Sequence, residues 1–540
     1  MPRLLRSVAL GIVLAVVVTP AFGQVSEYGQ TEFQNSGADA AQEPFLRGLL
    51  MLHSFEYDDA RSAFQEAQTV DPDFAMAHWG EAMTHNHPVW MEQDRGAALE
   101  ALQDLAPTPE ERLEMAPTER EKAYLRTVHV LYGAGETNPK SKEARDDAYA
   151  EAMASLAEQY PEDLNARSLY ALSILGTAHE GRDFATYMRA AAVVEEVFDE
   201  NPKHPGAAHY LIHTYDDPVH APLGLRPARV YADIAPAAPH ALHMPSHIFF
   251  ALGLWDKGAA SNVDSYEAAR AKSEERGEGL SGGGFHALHW LHYARLQQGR
   301  YDDAQSVLAT TQRHATDSTA SRGYATYMRW YMPIAYVVET QRWERLAPLL
   351  DSMNVDPSTL DKRGAVSVYV AQGLAAANQN DTSGAVSALE HAESAVGDSA
   401  STDLKIQIQE LKGVIALNMG NAEEGLTHLE RAATLEAEKP LDFGPPFPPK
   451  PAQELYGEAL LSLDRPADAL TQFEATLERY PDRALALLGA ARAATRSDRL
   501  DRARTVEAEL SAQWTDADAP VRTRLEALSE SSASAAAGAQ

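Results

Sequence analysis

Small and aromatic residues return along this chain in a fixed frame of about 34 residues, the length of one helix-turn-helix unit. Gly48, Ala60, Phe64, Ala67 and Pro72 mark one copy, and Gly457, Ala469, Phe473 and Pro481 repeat its spacing near the other end. Packing explains the residue types. Two antiparallel helices cross closely where small residues such as Gly48 and Ala60 meet, and an aromatic such as Phe64 fills the gap to the next unit. One unit cannot bury its apolar face alone, so units must stack. Weaker copies run through Gly373, Ala385, Leu389 and Ala392, and through Gly413, Gly425, Leu429 and Ala432; a last partial unit ends at Ala503. Helical periodicity also persists from Ala144 to Phe198, with Pro161 and Pro202 as unit ends. Strand patterns are nearly absent, so the expected fold is all-α, a right-handed superhelical solenoid.

The frame resembles the tetratricopeptide repeat (TPR). It divides the chain into a signal peptide (1–23), an N-terminal extension (24–42), a first unit with the following helix (43–105) and a histidine-rich central region (118–275). Middle repeats (285–440), C-terminal repeats (451–528) and a disordered tail (529–540) complete it. Residues 106–117 read as a loop ending in the capping box Thr118-x-x-Glu121, residues 276–284 as a flexible linker, and 441–451 as a stiff proline-rich connection.

The signal-peptide expectation rests on Arg3 and Arg6 before an apolar run from Val8 to Val18, with Ala21 and Gly23 at the cleavage positions. No later stretch is apolar enough to span a bilayer. The expected location is therefore periplasmic or secreted. The chain has no cysteine, which excludes disulfides, thiolate ligands and haem attached through cysteine. Its 46 basic against 78 acidic side chains, a net charge of −32, argue against a nucleic-acid partner.

Ten of the 19 histidines lie between His204 and His292. His209 and His213 are four apart, His240, His243 and His247 three and four apart, and His286, His289 and His292 three apart each. On a helix such spacings share one face. Pro245 interrupts the second set, so the helix bearing His247 is expected to begin near Met244 or Pro245, with His243 in the preceding turn. Inner helices of successive units line one concave groove, so sets from neighbouring units can converge there. The metal-ligand candidates are His209, His213, His240, His243, His247 and His289. Imidazoles without thiolates suit copper or zinc, and six would suit a dinuclear centre. Tyr210, Asp217 and His220 are candidates for orienting ligands or moving protons, with Asp216 beside them. Each histidine alone is better explained as a satisfied polar group in a helical core; it is the three clusters together that raise the case for a shared site.

The blocks HPGAAHYLIH, YDDPVHAPLGL, HALHMPSHIF and GPPFPPKPAQELYGE, with LHSFEYDDA nearer the start, resemble a group of secreted bacterial TPR proteins over nearly the whole mature chain. That resemblance implies a fold and a compartment, and assigns neither activity nor ligand residues. A zinc-protease His-Glu-x-x-His motif is absent, since His179-Glu180 is followed by Gly-Arg-Asp, and no nucleotide-binding loop or Gly-x-Ser-x-Gly elbow occurs. Two principal readings remain. One is an exported solenoid with a copper or zinc site in its groove, whether catalytic or a simple carrier. The other is a scaffold without metal that binds a peptide or protein.

Overall fold

The computed structural model describes residues 27–397 and 399–538; the expected signal peptide (1–23) lies outside them. They form successive antiparallel helix pairs, and the repeat frame explains how these pack. In the first unit, Gln42–His53 lies against Tyr57–Val70. A Cβ on Gly48 would stand 3.0 Å from the Phe64 ring and 3.2 Å from the Ala60 carbonyl, and one on Gly80 in the next helix would strike the same ring. Phe64 is fully buried between those two glycines. The C-terminal repeats copy this arrangement, with Phe473 wedged between Gly457 and Gly489. Burying each ring contributes about 1.5–3 kcal/mol.

Three segments differ from expectation. Residues 106–117 contain a helix, Pro109–Met115, opened by its own capping box between Thr108 and Glu111. The expected Thr118–Glu121 box follows directly and starts the next helix. The glycine-rich stretch is a linker only over residues 277–281. Ser281 accepts from Gly284 N at 3.3 Å, and this cap draws Gly282–Gly284 into the first turn of a helix that runs to Gln297. The tail is helical as far as Gly538. Val521 and Leu528 bury themselves in the C-terminal core and Thr495 hydrogen-bonds Ser532 at 3.1 Å, so packing anchors what composition left unstructured.

Two large cores result, one from Phe33 to Phe249 and one from Leu280 to Leu528. Phe250, Trp255, Trp290 and Tyr293 pack together between them. Asn86–His87 pairs antiparallel with Glu92–Gln93 in a small hairpin that carries Trp90. Among the described residues, no helix is long and apolar enough to cross a membrane.

Candidate metal centre

His209 and His213 ride on the Pro205–Tyr215 helix. Pro205 occupies the first turn, where its missing N–H is no loss, and His204 Nδ1 accepts from Ala207 N at 3.2 Å as the cap. Their rings are 4.9 Å apart. A five-residue helix, Pro239–His243, carries His240 and His243, and Pro245–Ala251 carries His247. Met244 between them keeps helical angles, φ −55° and ψ −36°, so one face continues through the proline junction. His243 and His247 consequently turn their Nε2 atoms towards each other, 3.1 Å apart.

The other nitrogen of each ring is already engaged. His243 Nδ1 donates to Asn262 Oδ1 at 2.7 Å, and Asn262 Nδ2 in turn donates to Gly258 O at 2.7 Å, which fixes the amide's orientation. His247 Nδ1 donates to Asp216 Oδ2 at 2.9 Å, while Arg182 binds Asp216 Oδ1. His209 Nδ1 donates to the His53 carbonyl at 2.7 Å. These partners fix the tautomers and leave the Nε2 lone pairs of His209, His243 and His247 bare, the arrangement typical of ligating imidazoles.

Two triads follow. His209, His213 and His240 bring one nitrogen each to within 4.8 Å of one another, and so do His243, His247 and His286. A third group, His213, Asp216 and His247, meets the same limit and straddles the triads. His209, His213, His243 and His247 are buried, whereas His240 and His286 are half-buried. Burial holds the imidazolium form of His243 down to about 4 and pushes those of His209, His213, His240, His247 and His286 well below the usual range; neighbouring histidines add to the effect on these five. Neutral imidazole is the metal-binding form.

His209 Nε2, both nitrogens of His213, and His240 Nε2 are buried without a hydrogen-bond partner among the described residues. His213 Nδ1 lies 3.4 Å from Asp216 Oδ2 but is not directed at it. An unpaired buried polar atom costs about 1–3 kcal/mol. Four such atoms sum to an amount comparable with a domain's net stability of about 5–15 kcal/mol. This side of the cluster lacks a partner that the side chains do not supply.

Of the residues singled out from sequence, five of the six ligand candidates converge and His289 does not. His289 lies against Tyr331, ring centroids 4.7 Å apart, with its Nε2 unpaired. His286, one turn earlier, faces His243 at 4.5 Å instead. Tyr210 turns away to donate to His53 Nδ1 at 2.9 Å. Asp217 and His220 pair with each other at 2.9 Å beside Arg182, and neither reaches the triads. The carboxylate that does so is Asp216. Asn262 had no sequence signal. The hairpin of Asn86–His87 and Glu92–Gln93 approaches through Trp90, whose ring is 6.1 Å from that of His240.

An open groove is also not what surrounds these residues. The proline-rich segment, expected as a spacer, lies over the second triad: Phe443 stands 4.8 Å from the His247 ring, and Gly444, at φ +82°, leaves no room for a side chain against Trp290. That segment and the two short helices Ala221–Ala228 and Tyr231–Ile234, the second of which stacks Tyr231 on His209 at 5.3 Å, enclose what the repeat frame alone would leave exposed.

A tetratricopeptide repeat family model matches residues 457–517. Over these residues the chain carries tetratricopeptide repeats. No curated protein sequence matches it. Among solved structures, yeast Tom70 shows 13% identity and a TM-score of 0.35, over 90% of this chain and 99% of that one. The APC/C assembly Cut9-Hcn1 gives 13% and 0.35, over 86% and 78%. A human IFIT1 dimer with m7Gppp-AAAA gives 10% and 0.38, over 89% and 95%. The TPR match covers the C-terminal repeats and leaves the histidine triads to be judged by their own geometry.

Proposed function

We propose that this TPR protein is an exported scaffold that holds a copper or zinc ion among His243, His247 and His286. The observation that carries the reading is the facing pair of Nε2 atoms at 3.1 Å, each on a ring whose Nδ1 hydrogen is committed elsewhere. Two lone pairs so placed repel unless a cation lies between them. A proton would serve, but burial keeps both rings neutral far below pH 7. With metal–nitrogen bonds of about 2.0–2.1 Å, a 3.1 Å separation corresponds to an angle of about 100° at the ion, near tetrahedral. Asp216 behind His247 raises that ring's basicity, as carboxylate–histidine–metal arrangements do. The test is elemental analysis of the untagged mature protein beside His243→Ala. Stoichiometric copper or zinc in the first and its loss in the second supports the reading. A metal-free protein that stays so after reconstitution rejects it, and leaves a TPR scaffold that binds a peptide or protein.

A further inference from the structure

We infer that the protein holds two ions side by side, the second among His209, His213 and His240, so that the six imidazoles form one dinuclear centre. This rests on the reading that His243, His247 and His286 hold the first. The two triads share no residue, and each brings three nitrogens within 4.8 Å. The set of His209, His213 and His240 contains four unpaired buried nitrogens on three rings, with no partner among the described residues. One ion coordinated by the three rings would satisfy one nitrogen on each.

The triads are also contiguous. His213 and His247 have ring centroids 5.4 Å apart, and His240 and His243 5.9 Å. Asp216 Oδ2 lies within reach of both His213 and His247, 3.4 Å and 2.9 Å from their Nδ1 atoms, and supplies a negative charge between two cations. Three imidazoles per ion leave a coordination position vacant on each. The half-buried members are flanked by aromatic rings: Trp90 meets His240 edge-on at 6.1 Å, and Tyr324 meets His286 at 6.0 Å. Both aromatics are partly exposed.

The experiment titrates metal-free protein with Cu²⁺ and reads copper per chain together with the electron paramagnetic resonance spectrum. Two coppers per chain, with the isolated-copper signal lost or split by coupling between neighbours, is the expected result. His209→Ala/His213→Ala should then bind one copper with an ordinary isolated signal. The spectrum of the unaltered protein decides the question even if that variant does not fold. One copper per chain that survives His209→Ala/His213→Ala overturns the dinuclear centre and leaves the single site standing. Two coppers with uncoupled spectra overturn it as well. No copper bound at all rejects both readings together.

Discussion

The ring of Phe443 lies 4.8 Å from that of His247 and tilted 34° to it, bringing a loop ahead of the C-terminal repeats onto a histidine of the central region. Phe443→Ala should uncover His247 with little effect on the repeats, because Phe443 is only half-buried. Diethylpyrocarbonate labelling followed by mass spectrometry should show His247 modified several-fold faster than in the unaltered protein. Equal rates would mean that the loop does not shield the site.

Gly444 sits at φ +82° with Trp290 where a side chain would go. Gly444→Ala should therefore destabilise the seam by about 1–3 kcal/mol, from backbone strain and overpacking together. Urea unfolding monitored by tryptophan fluorescence measures this. Gly420, also at positive φ (85°) but with nothing near its would-be Cβ, gives the comparison for strain alone.

Asp216 orients His247 and is itself held by Arg182. Asp216→Asn keeps the size and weakens the carboxylate's pull on the Nδ1 hydrogen, so affinity for Cu²⁺ or Zn²⁺ should fall by about 10–100-fold. Competition with a chelator of known affinity measures the loss. Asp217→Asn, one residue on, should leave affinity within a few-fold, since Asp217 serves His220 and not the triads.

Acid should destabilise the metal-free protein already above the pH range in which exposed carboxylates protonate. The unfolded chain takes up protons on histidine below about pH 6.5. His53 and His243, held by burial to about 4, and His289 and His292, held to about 3, do not follow it in the folded state. The folded pKa values are depressed, so this stability is fully present above about 6.5 and is lost as pH falls towards 4. Each such histidine contributes a slope of about 1.4 kcal/mol per pH unit in that window. Thermal melts at pH 7.5, 6 and 5 should show a progressive fall in Tm, and a flat profile would contradict the burial of neutral imidazoles.

Arg483 is fully buried between Glu339, 2.6 Å away, and Glu454, 2.7 Å away, and donates to the Tyr293 hydroxyl at 3.0 Å. Arg483→Met should cost about 3–5 kcal/mol because buried Glu339 loses its counter-charge and Glu454 is left with Lys450 alone, 2.8 Å away. Guanidinium unfolding checks this. Replacing Glu339 by Gln in the same variant should recover part of the loss, while Glu454 stays paired with Lys450.

The repeat architecture was legible because its causes are local. Gly48 and Phe64, or Gly457 and Phe473, sit on adjacent helices of one unit, and their spacing is fixed by helix length and turn. The same holds for the pairing of His209 with His213, which one turn of helix dictates. The junction at Pro245, read from proline's tolerance in a first helical turn, is of this kind too.

Which of these residues meet was decided by tertiary structure. His286 and His289 are three apart, about 60° short of a full turn, and the roll of their helix against its neighbours sends one to His243 and the other to Tyr331. Sequence spacing cannot fix that roll. The choice of Asp216 over Asp217, the support of His243 by Asn262, and the covering of His247 by Phe443 likewise depend on contacts between distant segments. The amino-acid sequence alone therefore determined the repeat, the all-helical class and the concentration of histidine in the central region. The packing of distant units, a balance of many weak contacts over long separations, determined which imidazoles face one another and what closes over them.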